Sequence, residues 1–173
     1  MSFREHELTV DKVILPIGVE VPWGEWRQAT SPTALFTTGI RECIAVATFD
    51  PIKRVGHMAH ILANTPSQED LLPTFVESIV DKCDGQTSRL EVCISGGRAD
   101  EDSLRHFSAA LGRRSAVVRT FTELGIPDPW HIAWDEEYLP QNLQLDCSTG
   151  DFSLTRVRPI PRWTQNPATD KDA

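Results

Sequence analysis

Two runs decide how this chain is read: Cys43-Ile44-Ala45-Val46-Ala47-Thr48-Phe49-Asp50-Pro51 and, three residues later, Val55-Gly56-His57-Met58-Ala59-His60-Ile61-Leu62. The first is apolar and rich in branched residues, with enough alternation for a half-buried strand, and Asp-Pro favours a turn. The second reads as the returning strand, so the pair forms a β-hairpin. Folding back about residues 50–53 brings the opening of the first strand level with the end of the second. Cys43 and His60 thereby meet at one end of the pair. His57 lies an odd number of positions from His60 and should face the other way, on the surface or rim.

Upstream, Val13-Ile14-Leu15-Pro16-Ile17-Gly18-Val19-Glu20-Val21 reads as a strand that ends in the turn Pro22-Trp23-Gly24. Residues 28–32 form a polar connection, and Leu35-Phe36-Thr37 is short and extended. Downstream, Ser67 with Asp70 resembles a helix start. Leu72, Phe75, Val76, Ile79, Val80 and Cys83 then recur at helical spacing, with Pro73 tolerable in the first turns. Leu90, Val92 and Ile94 alternate as a strand that Gly96-Gly97 breaks. A second amphipathic helix carries Phe107, Ala110, Leu111, Val117, Val118, Phe121 and Leu124, and stops at Gly125 and Pro127. His131-Ile132-Ala133-Trp134 is extended, and a terminal hairpin joins Leu143-Gln144-Leu145-Asp146-Cys147 to Phe152-Ser153-Leu154-Thr155-Arg156-Val157. The expected fold class is α+β, a mixed β-sandwich layered with flanking helices. Residues 1–158 make a single domain and 159–173, rich in proline and polar groups, a flexible C-terminal tail.

The chain has 173 residues, 40% of them hydrophobic, enough for one core. Net charge is −8 and no basic run exceeds Arg113-Arg114, which argues against a nucleic-acid partner. Neither a signal-peptide core nor 18 consecutive apolar residues occurs, so the expected location is the cytoplasm, without membrane insertion. Cysteines at 43, 83, 93 and 147 match neither a metal-binding spacing nor a disulfide framework. Cys83, Cys93 and Cys147 fall where packing explains them. No cofactor is expected. A metal site of Cys43 with His57 and His60 is disfavoured, because the two imidazoles face apart and no carboxylate completes the set. The five tryptophans, 23, 26, 130, 134 and 163, divide between the core, for most, and a protein-binding rim.

A cysteine amide hydrolase needs a thiol, an imidazole within hydrogen-bond reach and a third group fixing the imidazole's tautomer. The hairpin supplies the first two. Thr37-Thr38-Gly39-Ile40-Arg41-Glu42-Cys43-Ile44-Ala45-Val46, then Asp50-Pro51, then Val55-Gly56-His57-Met58-Ala59-His60 resembles the signature of the chemoreceptor deamidase family, CheD. That family reads Thr-Leu-Gly-Leu-Gly-Ser-Cys-Val-Ala-Val, Asp-Pro, and Val-Gly-x-Met-Ala-His. Pro16-Ile17-Gly18-Val19-Glu20, Ile94-Ser95-Gly96-Gly97 and Leu111-Gly112-Arg113-Arg114-Ser115 resemble further family stretches in order, so the likeness spans about residues 13 to 157.

The resemblance implies Cys43 as nucleophile, His60 as base and Thr37 as the residue that holds the histidine. It implies conversion of a protein glutamine to glutamate with loss of ammonia, through a thioester, and a fold like that of cytotoxic necrotizing factor deamidase domains. The implied partners are a methyl-accepting chemoreceptor as substrate, or another protein, and a CheC-type phosphatase. Two departures stand out. Arg41-Glu42 replaces the family's Gly-Ser, and the Gly-Gly-x-x-x-Arg segment gives way to Trp134-Asp135-Glu136-Glu137-Tyr138. They keep two other readings open: a binding module silenced at the catalytic site, and a toxin-like deamidase of a host protein.

Overall fold

The computed structural model describes residues 2–9, 17–62, 71–98, 104–128, 130–135 and 139–158, with only the backbone of 7–9 and 104–110. In chain order the elements are β1 (Phe3–Thr9), β2 (Val19–Glu20), β3 (Trp26–Thr30), β4 (Ala34–Ile40), β5 (Ile44–Asp50), β6 (Val55–Ile61), α1 (Leu71–Lys82), β7 (Glu91–Gly96), α2 (Leu104–Glu123), β8 (His131–Trp134), β9 (Gln141–Asp146) and β10 (Phe152–Arg158). The helix start at Ser67 and Asp70, residues 13–16 of the expected first strand, Trp163 and the tail lie outside the described residues.

The strands form two five-stranded mixed sheets, ordered β1-β10-β9-β4-β2 and β3-β6-β5-β7-β8. This is the α+β sandwich the sequence predicts. Alternation along the central hairpin explains the layering. Ala45, Ala47, Phe49 and Met58 join Leu35, Leu143, Leu145 and Leu154 in the core between the sheets. Ile44, Val46, Ala59 and Ile61 point the other way and pack with Phe75, Ile79, Val117 and Phe121 beneath the helices. Covered on both faces, β5 is buried at every position, as its nearly continuous apolar run requires. Gly56 belongs to the close approach of the two sheets, since a Cβ there would come within 2.6 Å of Cys147 Sγ.

The hairpin register is Ile44↔Ile61 through Asp50↔Val55, so the start of β5 and the end of β6 are level as expected. Three features depart from the sequence reading. Residues 26–30 are an edge strand paired with β6 rather than a connection. A strand at the N-terminus, β1, lies parallel to β10. Cys147 sits in the turn just past β9, buried all the same.

Asp50 fastens the hairpin turn. Its carboxylate accepts the amides of Ile52 (3.0 Å) and Lys53 (3.1 Å), and Arg89 Nη2 at 2.6 Å. Burial alone would raise its pKa, but the Arg89 hydrogen bonds and the two amides hold it below the usual carboxylate range. Asp50→Ala is expected to lower the urea midpoint, because it removes the acceptor of two turn amides and the counterion of Arg89. An unchanged midpoint would mean the pair behaves as a surface salt bridge.

Candidate active site

The chain leaves one sheet at the end of β4 and enters the other at the start of β5, and residues 41–43 make that crossing. Cys43 is the last of them, half-buried, one residue ahead of the ladder. It lies two positions before Ala45, which pairs with His60. Thr37 faces inward from β4, so the three residues come from the crossing and from both sheets. Thr37 and His60 are fully buried.

The bond between them fixes the imidazole. Thr37 Oγ1 lies 2.8 Å from the Val21 carbonyl oxygen and 2.7 Å from His60 Nδ1. A hydroxyl has one proton, and a carbonyl oxygen can only accept. The Thr37 proton therefore goes to Val21, and the imidazole contact must be Nδ1–H donating to Oγ1. His60 is thus the Nδ1–H tautomer, with its lone pair on Nε2, the arrangement a general base needs. Nε2 makes no hydrogen bond, to Cys43 or to any other described residue. Burial lowers the His60 pKa to about 4, so the ring is neutral at rest.

Residues 21–25 support this pair through their backbone. Gly24 N–H donates to His60 O, and His60 N–H to Glu25 O, both at 2.9 Å. The Cys43 side is held by the Gly96-Gly97 turn, where both residues have positive φ. Gly97 N–H donates to Cys43 O at 2.6 Å, and Arg98 N–H to Arg41 O at 2.9 Å. A Cβ on Gly96 would fall 2.3 Å from Cys43 O. These glycines therefore shape the loop beneath the sulfur, the tight-turn role the sequence allowed. Gln141 Oε1 accepts the Gly96 amide at 3.0 Å from the facing sheet.

Arg41 and Glu42 are exposed, and neither has positive φ; among the described non-glycine residues only Arg54 and Asp84 do. Replacing Gly-Ser there imposes no left-handed strain. Burial lowers the pKa of Arg113 on α2, while the charges of Cys43 and Glu42 raise it, so its guanidinium stands within electrostatic reach of the thiol.

Two of the other sulfurs are poor nucleophiles, since burial pushes the Cys93 thiol far up and that of Cys147 up to about 11; Cys83 is buried on α1's apolar side. None of the four cysteines forms a disulfide. His57 does face away from His60, as expected, but not toward the surface. It is only 3% exposed and lies edge-on to Phe75 of α1, ring centroids 6.5 Å apart, because the helix layer covers that side of β6. No cluster of three or more metal-ligating side chains occurs among the described residues. No described helix is long and apolar enough to cross a membrane.

Sequence reasoning missed the Val21 carbonyl and Arg113, and it listed Trp23 only among tryptophans shared between core and rim. Trp23 stands 65% exposed with its ring centroid 6.0 Å from that of His60. Its place in a Pro-Trp-Gly turn was visible, but the partner of that turn was not.

No family model matches the chain. It is 32% identical over 111 residues to the chemoreceptor glutamine deamidase CheD of Thermotoga maritima, covering 60% of this chain and 70% of that protein. It is 29% identical over 133 residues to the probable chemoreceptor glutamine deamidase CheD of Moorella thermoacetica, covering 68% and 79%. Among solved structures, the Bacillus licheniformis hypothetical protein YfiH aligns with a TM-score of 0.46 and 12% identity, over 65% of this chain and 50% of that one.

Proposed function

Since the chain belongs to the CheD family of chemoreceptor glutamine deamidases, we propose that it hydrolyses glutamine side chains of a chemoreceptor to glutamate, with Cys43 as nucleophile, His60 as base and Thr37 as the residue that orients the base. The observation that carries this reading is the Val21–Thr37–His60 chain, which leaves the imidazole lone pair on Nε2.

Burial keeps the imidazole neutral at rest, ready to accept a proton. The thiol proton passes to Nε2 as Sγ attacks the carboxamide carbon, and the carbonyl oxygen becomes the oxyanion. Collapse breaks the C–N bond, and the imidazolium proton leaves with the nitrogen as ammonia. Water then attacks the thioester, giving a proton to Nε2. The C–S bond breaks, and the sulfur recovers that proton. Imidazolium is the species burial opposes, and the Thr37 oxygen lowers its cost by accepting Nδ1–H throughout.

The same reading places the activity in one domain, residues 1–158, in the cytoplasm, and adds docking to a CheC-type phosphatase, for which the family likeness is the support. The test is mass spectrometry of a chemoreceptor signalling domain incubated with the protein. A gain of about one dalton per converted glutamine is expected, absent with Cys43→Ser. A gain that persists in Cys43→Ser, or none with the wild type, overturns the reading.

A further inference from the structure

We propose that Trp23 is a specificity-determining residue, an apolar wall that receives an aliphatic side chain flanking the reactive glutamine; this rests on the deamidase reading above. Three observations carry it. The first is exposure: a large ring left 65% open gains little from burial within its own chain, and Ile17 (91%) and Val19 (40%), a few residues upstream, are also exposed.

The second is position. The indole lies beside the His60 ring, its Nε1–H donates to Thr38 O at 3.3 Å, and Cζ2 is 3.5 Å from where a Cβ on Gly39 would stand. Both neighbours adjoin the catalytic set, Gly39 preceding the crossing to Cys43 and Thr38 following Thr37.

The third is rigidity. The 21–25 backbone that bears Trp23 is bonded to Phe36, Thr37 and His60 through Val21 N–H, Val21 O, Gly24 N–H and Glu25 O. A surface aromatic usually swings freely; this one is mounted on the segment that sets the base's tautomer. A carboxamide presented to Cys43 brings its neighbouring residues to this rim. A ring left 65% exposed favours aliphatic groups there over small polar ones.

Two peptides test it, identical but for the residues flanking a single glutamine, leucine in one and serine in the other, with ammonia release followed for wild type, Trp23→Ser and Trp23→Phe. The leucine peptide should have a kcat/KM ~10-fold higher with wild type, mainly through KM. Trp23→Ser should abolish that preference, bringing the leucine peptide's kcat/KM down to that of the serine peptide, and Trp23→Phe should restore most of it. Equal iodoacetamide labelling of Cys43 in all three proteins would show the catalytic pair intact. A preference that survives Trp23→Ser, or wild type treating both peptides alike, overturns the role of Trp23 and leaves the deamidase reading standing. No ammonia from either peptide with wild type sinks both.

Discussion

His60→Ala should remove the ammonia-releasing activity, by about three orders of magnitude or more, whereas His57→Ala should leave the chemistry within a few-fold of wild type. The two imidazoles are three residues apart on β6, both buried, and both depressed to about pKa 4. Burial and pKa therefore do not distinguish them; facing does. His60 looks into the sandwich at Thr37, and His57 looks out at Phe75. Steady-state ammonia release from one receptor substrate compares the variants, with circular dichroism to show that each has folded. The assignment fails if the two substitutions are equally damaging in folded proteins. Thr37→Val provides the intermediate case: the ring keeps its place but loses the oxygen that selects its tautomer. Its loss should be smaller than that of His60→Ala.

Acid should weaken the fold between pH 6.5 and 4, well above the range where most carboxylates titrate. In the unfolded chain each imidazole takes up a proton near 6.5, while in the folded protein His57 and His60 do so only near 4. Burial is the first cause for both; Lys82 adds to it at His57, and Asp50 opposes it. In that window the unfolded state binds more protons, so stability rises with pH and falls on acidification. The loss comes to roughly 2 kcal/mol per imidazole by pH 5 and about 3 by pH 4. Asp50 acts in the same direction but lower, because its folded pKa lies under 3.8. Glu91, raised by burial, acts in the opposite sense. Urea unfolding at pH 7.5, 6 and 5 should therefore show a steep decline, and His57→Leu should remove close to half of it. A flat profile down to pH 5 would mean that the two imidazoles charge within the fold.

The central hairpin and the opposite facing of His57 and His60 were legible because alternation with period two survives even in a fully buried strand, and the Asp-Pro turn fixes the register. The stripe from Leu72 to Cys83 likewise predicted α1. Residues 26–30 were not legible as a strand: Trp26-Arg27-Gln28-Ala29-Thr30 has weak alternation, and its pairing with β6 is long-range. The burial of His57 escaped for a related reason, since nothing near it says that α1 will cover it. The Val21 carbonyl was beyond reach altogether. A backbone oxygen has no signature in a sequence, and only the path of residues 21–25 brings it to Thr37.

Thr37 and His60 come from opposite layers, and Cys43 from the strap between them. If the layers separated by even an ångström or two, the 2.7 Å contact would open and the ring would be free to change tautomer. With Thr37 and His60 in the roles proposed for them, hydrolytic competence is coupled to a closed interface. A nascent or partly melted chain, which could meet glutamines on any neighbouring protein, would be disarmed before it lost its shape.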